Sequence, residues 1–125
     1  MRIISGIYKN TPLKSPNDKS THPMGDREKL ALFYMLSPYL DNSIVLDAFA
    51  GTGALGLEAL SHGAREVTFL EKSREVAKTL SDNLKITLKN DENIKNQTRI
   101  VVKDIKNADF DTKAISASPR GPAGG

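Results

Sequence analysis

An α/β fold built on a parallel sheet is what this sequence predicts, and three observations carry the prediction. Apolar runs at 43–49, 67–70 and 99–103 alternate with two segments of helical periodicity. In the first run Ile44, Val45 and Leu46 are continuous instead of alternating with polar residues, the character of a strand covered on both faces. That run leads into Asp47-Ala48-Phe49-Ala50-Gly51-Thr52-Gly53-Ala54-Leu55-Gly56, an acid and a G-x-G-x-x-G loop that join a strand to a helix. The resulting order, βαβαβ, is half of a doubly wound, Rossmann-like sheet.

The elements follow from local chemistry. Residues 2–5 and 11–14 are short β-prone runs separated by Gly6 and Asn10, which predicts an N-terminal β-hairpin extension. The segment 15–24, with Pro16 and Pro23, reads as a loop or extended linker. Asp26 is placed to cap a helix over 27–37, with Leu30, Phe33, Tyr34 and Ser37 on one face, and Pro38 ends that helix or kinks its last turn. After the first parallel strand comes a helix at 54–62, terminated by Gly63 in the left-handed conformation. Ser73 caps a helix from 74 to about 90, where Val76, Ala77, Leu80, Leu84 and Leu88 keep helical spacing. A polar loop at 91–97 leads to the third strand, which ends at Asp104. Beyond Phe110 the sequence turns small, Pro/Gly-rich and aperiodic, the composition of a disordered or aberrant tail. The expected organisation is a β-hairpin extension and linker at 1–25, a sheet domain at 26–110 and a tail at 111–125.

Composition narrows the class. A chain of 125 residues with 38% hydrophobic and 26% charged side chains fits one ordinary soluble domain. It has no cysteine, which excludes disulfides and thiolate metal sites and makes a reducing cytoplasm the expected setting. No apolar run approaches the roughly 18 residues of a membrane span, and the first residues lack the apolar core of a signal peptide. Net charge is only +3, yet residues 1–20 hold Arg2, Lys9, Lys14 and Lys19 against Asp18 alone. Such an arm suits a phosphate backbone, and charge alone allows a merely solvated lysine-rich end equally well.

The glycine loop predicts a nucleoside cradle. Glycines let a ligand lie against bare backbone, and the following helix points unpaired N–H groups at it. Glu71, twenty residues after Gly51, stands at the end of the second strand, where a carboxylate can accept from both hydroxyls of a ribose. Nicotinamide nucleotides and S-adenosylmethionine both use this arrangement. Asp47 separates them by sign: a carboxylate beside a pyrophosphate is unfavourable, whereas the ammonium and sulfonium of S-adenosylmethionine attract it. The charge favours S-adenosylmethionine over a dehydrogenase cofactor. Asp104, at the end of the third strand, is a candidate acceptor for the adenine exocyclic amine.

Three blocks then carry a resemblance. Met1-Arg2-Ile3-Ile4-Ser5-Gly6, the stretch Thr21-His22-Pro23-Met24-Gly25-Asp26-Arg27-Glu28-Lys29-Leu30-Ala31-Leu32-Phe33, and Val45 through Leu60 with its glycine loop are similar to the bacterial 16S rRNA guanine-N2 methyltransferases. Val67-Thr68-Phe69-Leu70-Glu71-Lys72 resembles the second strand of that family. The resemblance spans about residues 1–110 and implies a class I methyltransferase fold. It also implies methyl transfer from S-adenosyl-L-methionine to the exocyclic amine of a guanine in 16S rRNA or a small-subunit assembly intermediate, without metal and by a monomer. Carried over residue by residue, Asp47, Gly51 and Gly53 hold the methionine part, Glu71 the ribose and Asp104 the adenine edge, with Phe49 and Lys72 beside them. Arg2, Lys9 and Lys14 of the hairpin, with His22 and Arg27 of the following turn, are the expected RNA contacts. Tyr8 is a candidate for stacking on a base, its alternative being a core aromatic. His22 and Met24 stand where the family more often has an arginine and a threonine. The family's fourth strand ends in an Asp/Asn-Pro-Pro-Tyr/Phe motif that grips the target amine, and no such run follows Asp104. The chain is therefore expected to be the cofactor half of such an enzyme, truncated before the fourth strand, with no catalytic residue of its own. A non-catalytic RNA- or cofactor-binding module is the alternative expectation.

Overall fold

A computed structural model describes residues 1–15, 24–89 and 97–107. The linker 16–23 with His22, the loop 90–96 and the tail lie outside the described residues. The elements run α1 (Asp26–Leu40), β1 (Ile44–Asp47), α2 (Ala54–Ser61), β2 (Glu66–Glu71), α3 (Arg74–Leu88), β3 (Thr98–Val102) and a 3-10 turn at Ile105–Asn107. The three strands form one parallel sheet in the order β1-β2-β3. Its register aligns Asp47 with Phe69, and Phe69 with Ile100. All three strands therefore present their carboxyl ends along one edge, the place where open α/β sheets hold ligands.

Each connection has a local cause. The N–H of Val76 donates to the Ser73 hydroxyl at 3.2 Å, so α3 has the predicted cap. At the end of α2, Gly63 takes φ +94°, the left-handed turn that a glycine adopts without strain. The arms of the N-terminal segment run antiparallel through Ile3 N–H to Thr11 O (3.0 Å) and Leu13 N–H to Met1 O (2.8 Å). Arg2 and Pro12 form its one described β-bridge, since Pro12 lacks the N–H that would extend a ladder.

Helix α1 departs from the sequence reading in three ways. Gly25 occupies the N-cap and Asp26 lies in the first turn, where its charge still complements the helix dipole. The helix continues through Pro38 to Leu40. The ring removes the N–H that would bond the Tyr34 carbonyl, and the Ser37 hydroxyl donates to that same oxygen at 3.2 Å, so no acceptor is stranded. Finally, the buried stripe is Lys29, Phe33 and Leu40, whereas Leu30, Tyr34 and Ser37 are exposed. A lysine, not Leu30, turns inward because α2 supplies a buried carboxylate to meet its ammonium.

The core joins the N-terminal segment to the sheet. Ile3 and Leu13 are buried with Phe33, Leu57, Leu60, Val67, Phe69, Leu80 and Leu84 in one cluster. Burying a side chain of this size contributes about 1.5–3 kcal/mol against conformational entropy of similar scale. Tyr8 is half-buried against the same cluster, which favours the core alternative over an open stacking platform. Along β1 the outer edge is unpaired among the described residues, and Leu46 is exposed there.

Beneath this surface sits a buried ion pair. Lys29 and Glu58 are 1% and 0% exposed, with Lys29 Nζ 3.5 Å from Glu58 Oε1. Lys29 also donates to Arg2 O at 3.0 Å, and Glu58 accepts from Ile4 N–H and the Ser5 hydroxyl. Ser5 Oγ lies 2.7 Å from His62 Nε2, and the His62 ring stacks on Phe33. Every strong polar group of the pair is thus matched, the condition under which a buried charge pair persists. The N-terminal segment, α1 and α2 are tied together through it.

Candidate functional site

The carboxyl edge of the sheet brings together all the residues expected to hold a cofactor. The loop from β1 into α2 carries Asp47, Phe49, Gly51 and Gly53, while β2 ends in Glu71 followed by Lys72. Asp104 follows β3. Glu71 is the organiser of this edge. Its Oε1 accepts from Gly51 N–H at 3.0 Å and its Oε2 from Ser73 N–H at 2.8 Å. One carboxylate therefore pins the glycine loop and the entry to α3, and lone pairs remain on both oxygens for ribose hydroxyls.

Gly51 and Gly53 are required for different reasons. Both have positive φ, +55° and +95°. A Cβ on Gly53 lies 2.3 Å from Leu80 Cδ1, so this glycine lets the loop close onto α3. A Cβ on Gly51 meets nothing within 4 Å. The space over Gly51 is open, the feature that a cradle needs.

Asp47 ends β1 with one carboxylate oxygen uncommitted. Its Oδ2 is buried without a hydrogen-bond partner. Burial pushes its pKa above the ordinary carboxylate value; the Gly56 and Phe49 backbone amides oppose the shift and the nearby Glu71 charge adds to it. A buried acceptor without a donor costs about 1–3 kcal/mol, so a donor from outside the chain is the natural complement. The ammonium of a methionine moiety is such a donor. On this orphaned oxygen and the open space at Gly51, the residues fit S-adenosylmethionine.

The remaining cofactor positions are less committed. Phe49 is 79% exposed beside the loop, free to lie against a planar ligand. Lys72 is exposed. Asp104 is half-buried, its Oδ1 accepting from Lys106 N–H at 3.0 Å, which makes it the cap of the 3-10 turn.

Of the expected RNA contacts, two are engaged by acids within the chain. Arg2 bonds Asn10 Oδ1 at 3.1 Å and lies 3.6 Å from Asp26, next to Arg27 at the start of α1. Lys14 pairs with Asp82 on α3 at 3.0 Å, which lowers the Asp82 pKa chiefly through that hydrogen bond. Lys9 is exposed on the turn between the arms. His22 lies outside the described residues.

One residue that matters here carries no motif. Asn83, fully buried on α3, donates to Thr52 O at 2.9 Å and Lys14 O at 3.1 Å and accepts from Lys14 N–H at 2.7 Å. It fastens the cradle loop and the N-terminal segment to one helix. The only sequence signal is an amide at an apolar position of a helix, between Leu80 and Leu84. Among the described residues no cluster of His, Asp or Glu side chains is arranged to hold a metal ion, and no helix is long and apolar enough to cross a membrane.

A glycine-loop cradle at the carboxyl ends of a parallel β1-β2-β3 sheet, with α2 rising from the loop, defines the class I methyltransferase fold. Residues 1–117 match the family described as Conserved hypothetical protein 95, and the chain belongs to that family. Ribosomal RNA small subunit methyltransferase D of Haemophilus influenzae is 48% identical over 89 residues, covering 71% of this chain and 46% of that protein. The solved structure of yhhF from Escherichia coli superposes with TM-score 0.69 at 38% identity, covering 83% of this chain and 52% of that one. A hypothetical protein of Thermus thermophilus superposes with TM-score 0.72 at 32% identity, covering 97% and 64%. The chain spans about half the length of the curated relative and of the Escherichia coli structure.

Proposed function

We propose that the cradle binds S-adenosyl-L-methionine and that the protein serves methylation of the exocyclic N2 of a guanine in 16S rRNA, as a monomer in the cytoplasm. The observation that carries the cofactor is the buried, unpartnered Oδ2 of Asp47 at the end of β1, with open space over Gly51 in the loop that follows. The rRNA substrate rests on the small-subunit rRNA methyltransferase among the relatives and on the resemblance of the N-terminal blocks.

Bound there, S-adenosylmethionine supplies an electrophilic methyl group on a sulfonium. The residues of this chain bind and orient it. Asp47 neutralises the ammonium, and Glu71 accepts from the ribose while holding the Gly51 loop in place. Asp104 accepts from the adenine edge, and Phe49 covers one face. No residue is assigned the grip on the acceptor amine, because the sequence holds no Asp/Asn-Pro-Pro-aromatic run. That grip matters: a guanine N2 lone pair is delocalised into the ring and must be aligned as its proton leaves.

Calorimetric titration with S-adenosylmethionine and with NAD tests the cofactor. Tighter binding of NAD would overturn the assignment. Transfer of labelled methyl to naked or partly assembled 30S rRNA tests the reaction. Robust turnover by these 125 residues would show that amine alignment does not need the Pro-Pro motif.

A further inference from the structure

Asn83 spends its side chain on two segments far apart in the sequence. Fully buried on α3, it gives one amide proton to Thr52 O at 2.9 Å and the other to Lys14 O at 3.1 Å. Its Oδ1 accepts from Lys14 N–H at 2.7 Å. A primary amide has both the two donors and the acceptor that this position requires. Leucine here strands three backbone groups, and aspartate turns both donors into acceptors facing carbonyl oxygens.

The cradle loop is held from two sides. β2 holds its first half: Ala50 N–H donates to Leu70 O at 2.9 Å and Gly51 N–H to Glu71 Oε1 at 3.0 Å. α3 holds its second half, through Asn83 on Thr52 O and through Leu80, which lies against Gly53. The α3 side is the one that the N-terminal segment shares. Lys14 is bonded to the same amide, its ammonium pairs with the adjacent Asp82 at 3.0 Å, and Leu13 is buried in one cluster with Leu80. Nearer its start the segment is bonded to the end of α2, through Ile7 N–H to Ser61 O at 2.8 Å, and α2 rises from the loop. Docking of the segment and closure of the loop therefore meet at one side chain.

We infer that Asn83 is a positioning residue for the methyl-donor site, coupling the docking of residues 1–15 to the shape of the cradle loop, so that cofactor binding and order in the segment strengthen each other. This rests on the assignment of S-adenosylmethionine to the cradle and deepens it. Without the amide, Thr52 O loses a buried donor, and the loop gains by turning that carbonyl toward water. A loop closed in about one folded molecule in ten binds its ligand about tenfold more weakly. The coupling is reciprocal: a cofactor that requires the closed loop also favours the docked segment.

Calorimetric titration of the 125-residue chain with S-adenosylmethionine, well below the unfolding temperature of each variant, tests the positioning role. Asn83→Ala is expected to weaken binding about tenfold with unchanged stoichiometry. Thr87→Val is the comparison. Its hydroxyl donates to Asn83 O at 2.8 Å, buried one turn further along α3, and bonds nothing in the loop. That variant is expected to lower Tm and leave affinity unaltered. Hydrogen exchange on the unmodified chain needs no variant to fold. Saturating S-adenosylmethionine is expected to slow exchange of the Ile3 and Leu13 amides, which bond Thr11 O and Met1 O within the segment. The Asn42 amide, bonded to Gly63 O at the amino end of the sheet, is expected to keep its rate. Unchanged affinity in Asn83→Ala, an equal loss in Thr87→Val, or exchange at Ile3 and Leu13 that follows Asn42 overturns the inference and leaves the cofactor assignment standing. Failure of the unmodified chain to bind S-adenosylmethionine overturns both.

Discussion

Replacing Asp47 by asparagine is expected to move stability and cofactor affinity in opposite directions. Without cofactor, the folded chain keeps a carboxylate oxygen buried with no partner, at a cost of about 1–3 kcal/mol. Asparagine removes the charge from that buried position, recovering about 1 kcal/mol and raising Tm by roughly 4 °C. The pH dependence follows from the direction of the shift. A raised folded-state pKa means that the folded chain holds the proton more tightly than the unfolded one. The stability this provides is present below the ordinary value of 3.8 and is lost as pH rises through the folded value. The advantage of the variant therefore grows across that window and is complete at neutral pH. With cofactor the order reverses. A hydrogen bond between charged partners contributes about 1.5–3 kcal/mol, so the variant binds S-adenosylmethionine roughly 10–150-fold more weakly. Thermal unfolding at several pH values, paired with calorimetric titration at pH 7, reads both effects. A lower Tm for the cofactor-free variant, or unchanged affinity, would refute the account of Asp47 as a carboxylate waiting for a cation.

Three further substitutions separate fold from site. Gly51→Ala is expected to cost only about 1 kcal/mol for its left-handed backbone, since its methyl meets nothing, yet to cut cofactor affinity sharply by filling the cradle; Gly53→Ala, which drives a methyl into Leu80, should cost about 2–5 kcal/mol in urea unfolding. Lys29→Met strands the Glu58 carboxylate and is expected to cost about 3–5 kcal/mol, whereas Lys29→Met/Glu58→Leu should recover much of that loss; a single variant as stable as the parent would show that the pair contributes nothing. Ser73→Ala removes the cap of α3 and should cost about 1 kcal/mol, with no loss if the Val76 amide is satisfied by water instead.

The legible parts of the fold were those set by neighbours in sequence. The strand–loop–helix transition at Asp47–Ala54, the Ser73 cap and the apolar spacing of α3 all operate within a few residues, and each stands in the structure as read. The placing of Asp47, Glu71 and Asp104 along one edge was legible for the same reason: parallel strands must end along one edge, so acids at strand ends converge. Helix α1 was misread at both ends and on its buried face. Its boundary depends on how Ser37 compensates for Pro38, and its inward stripe depends on a carboxylate 29 residues further on. The pairing of Arg2 with Asp26 and of Lys14 with Asp82 was not legible either, because those acids sit on helices distant in sequence.

By itself the sequence determined the order of elements, the glycine loop and the sign of charge beside it, because backbone propensity and strand-end position are local properties. Only the tertiary structure decided that Lys29 and Glu58 meet in the core, that Asn83 fastens the loop to the N-terminal segment, and that Asp47 keeps an oxygen without a partner. Those outcomes depend on which groups are shut away from water together. Burial turns an ordinary lysine or asparagine into a fastening and leaves an aspartate oxygen without a partner, and burial belongs to the packed chain.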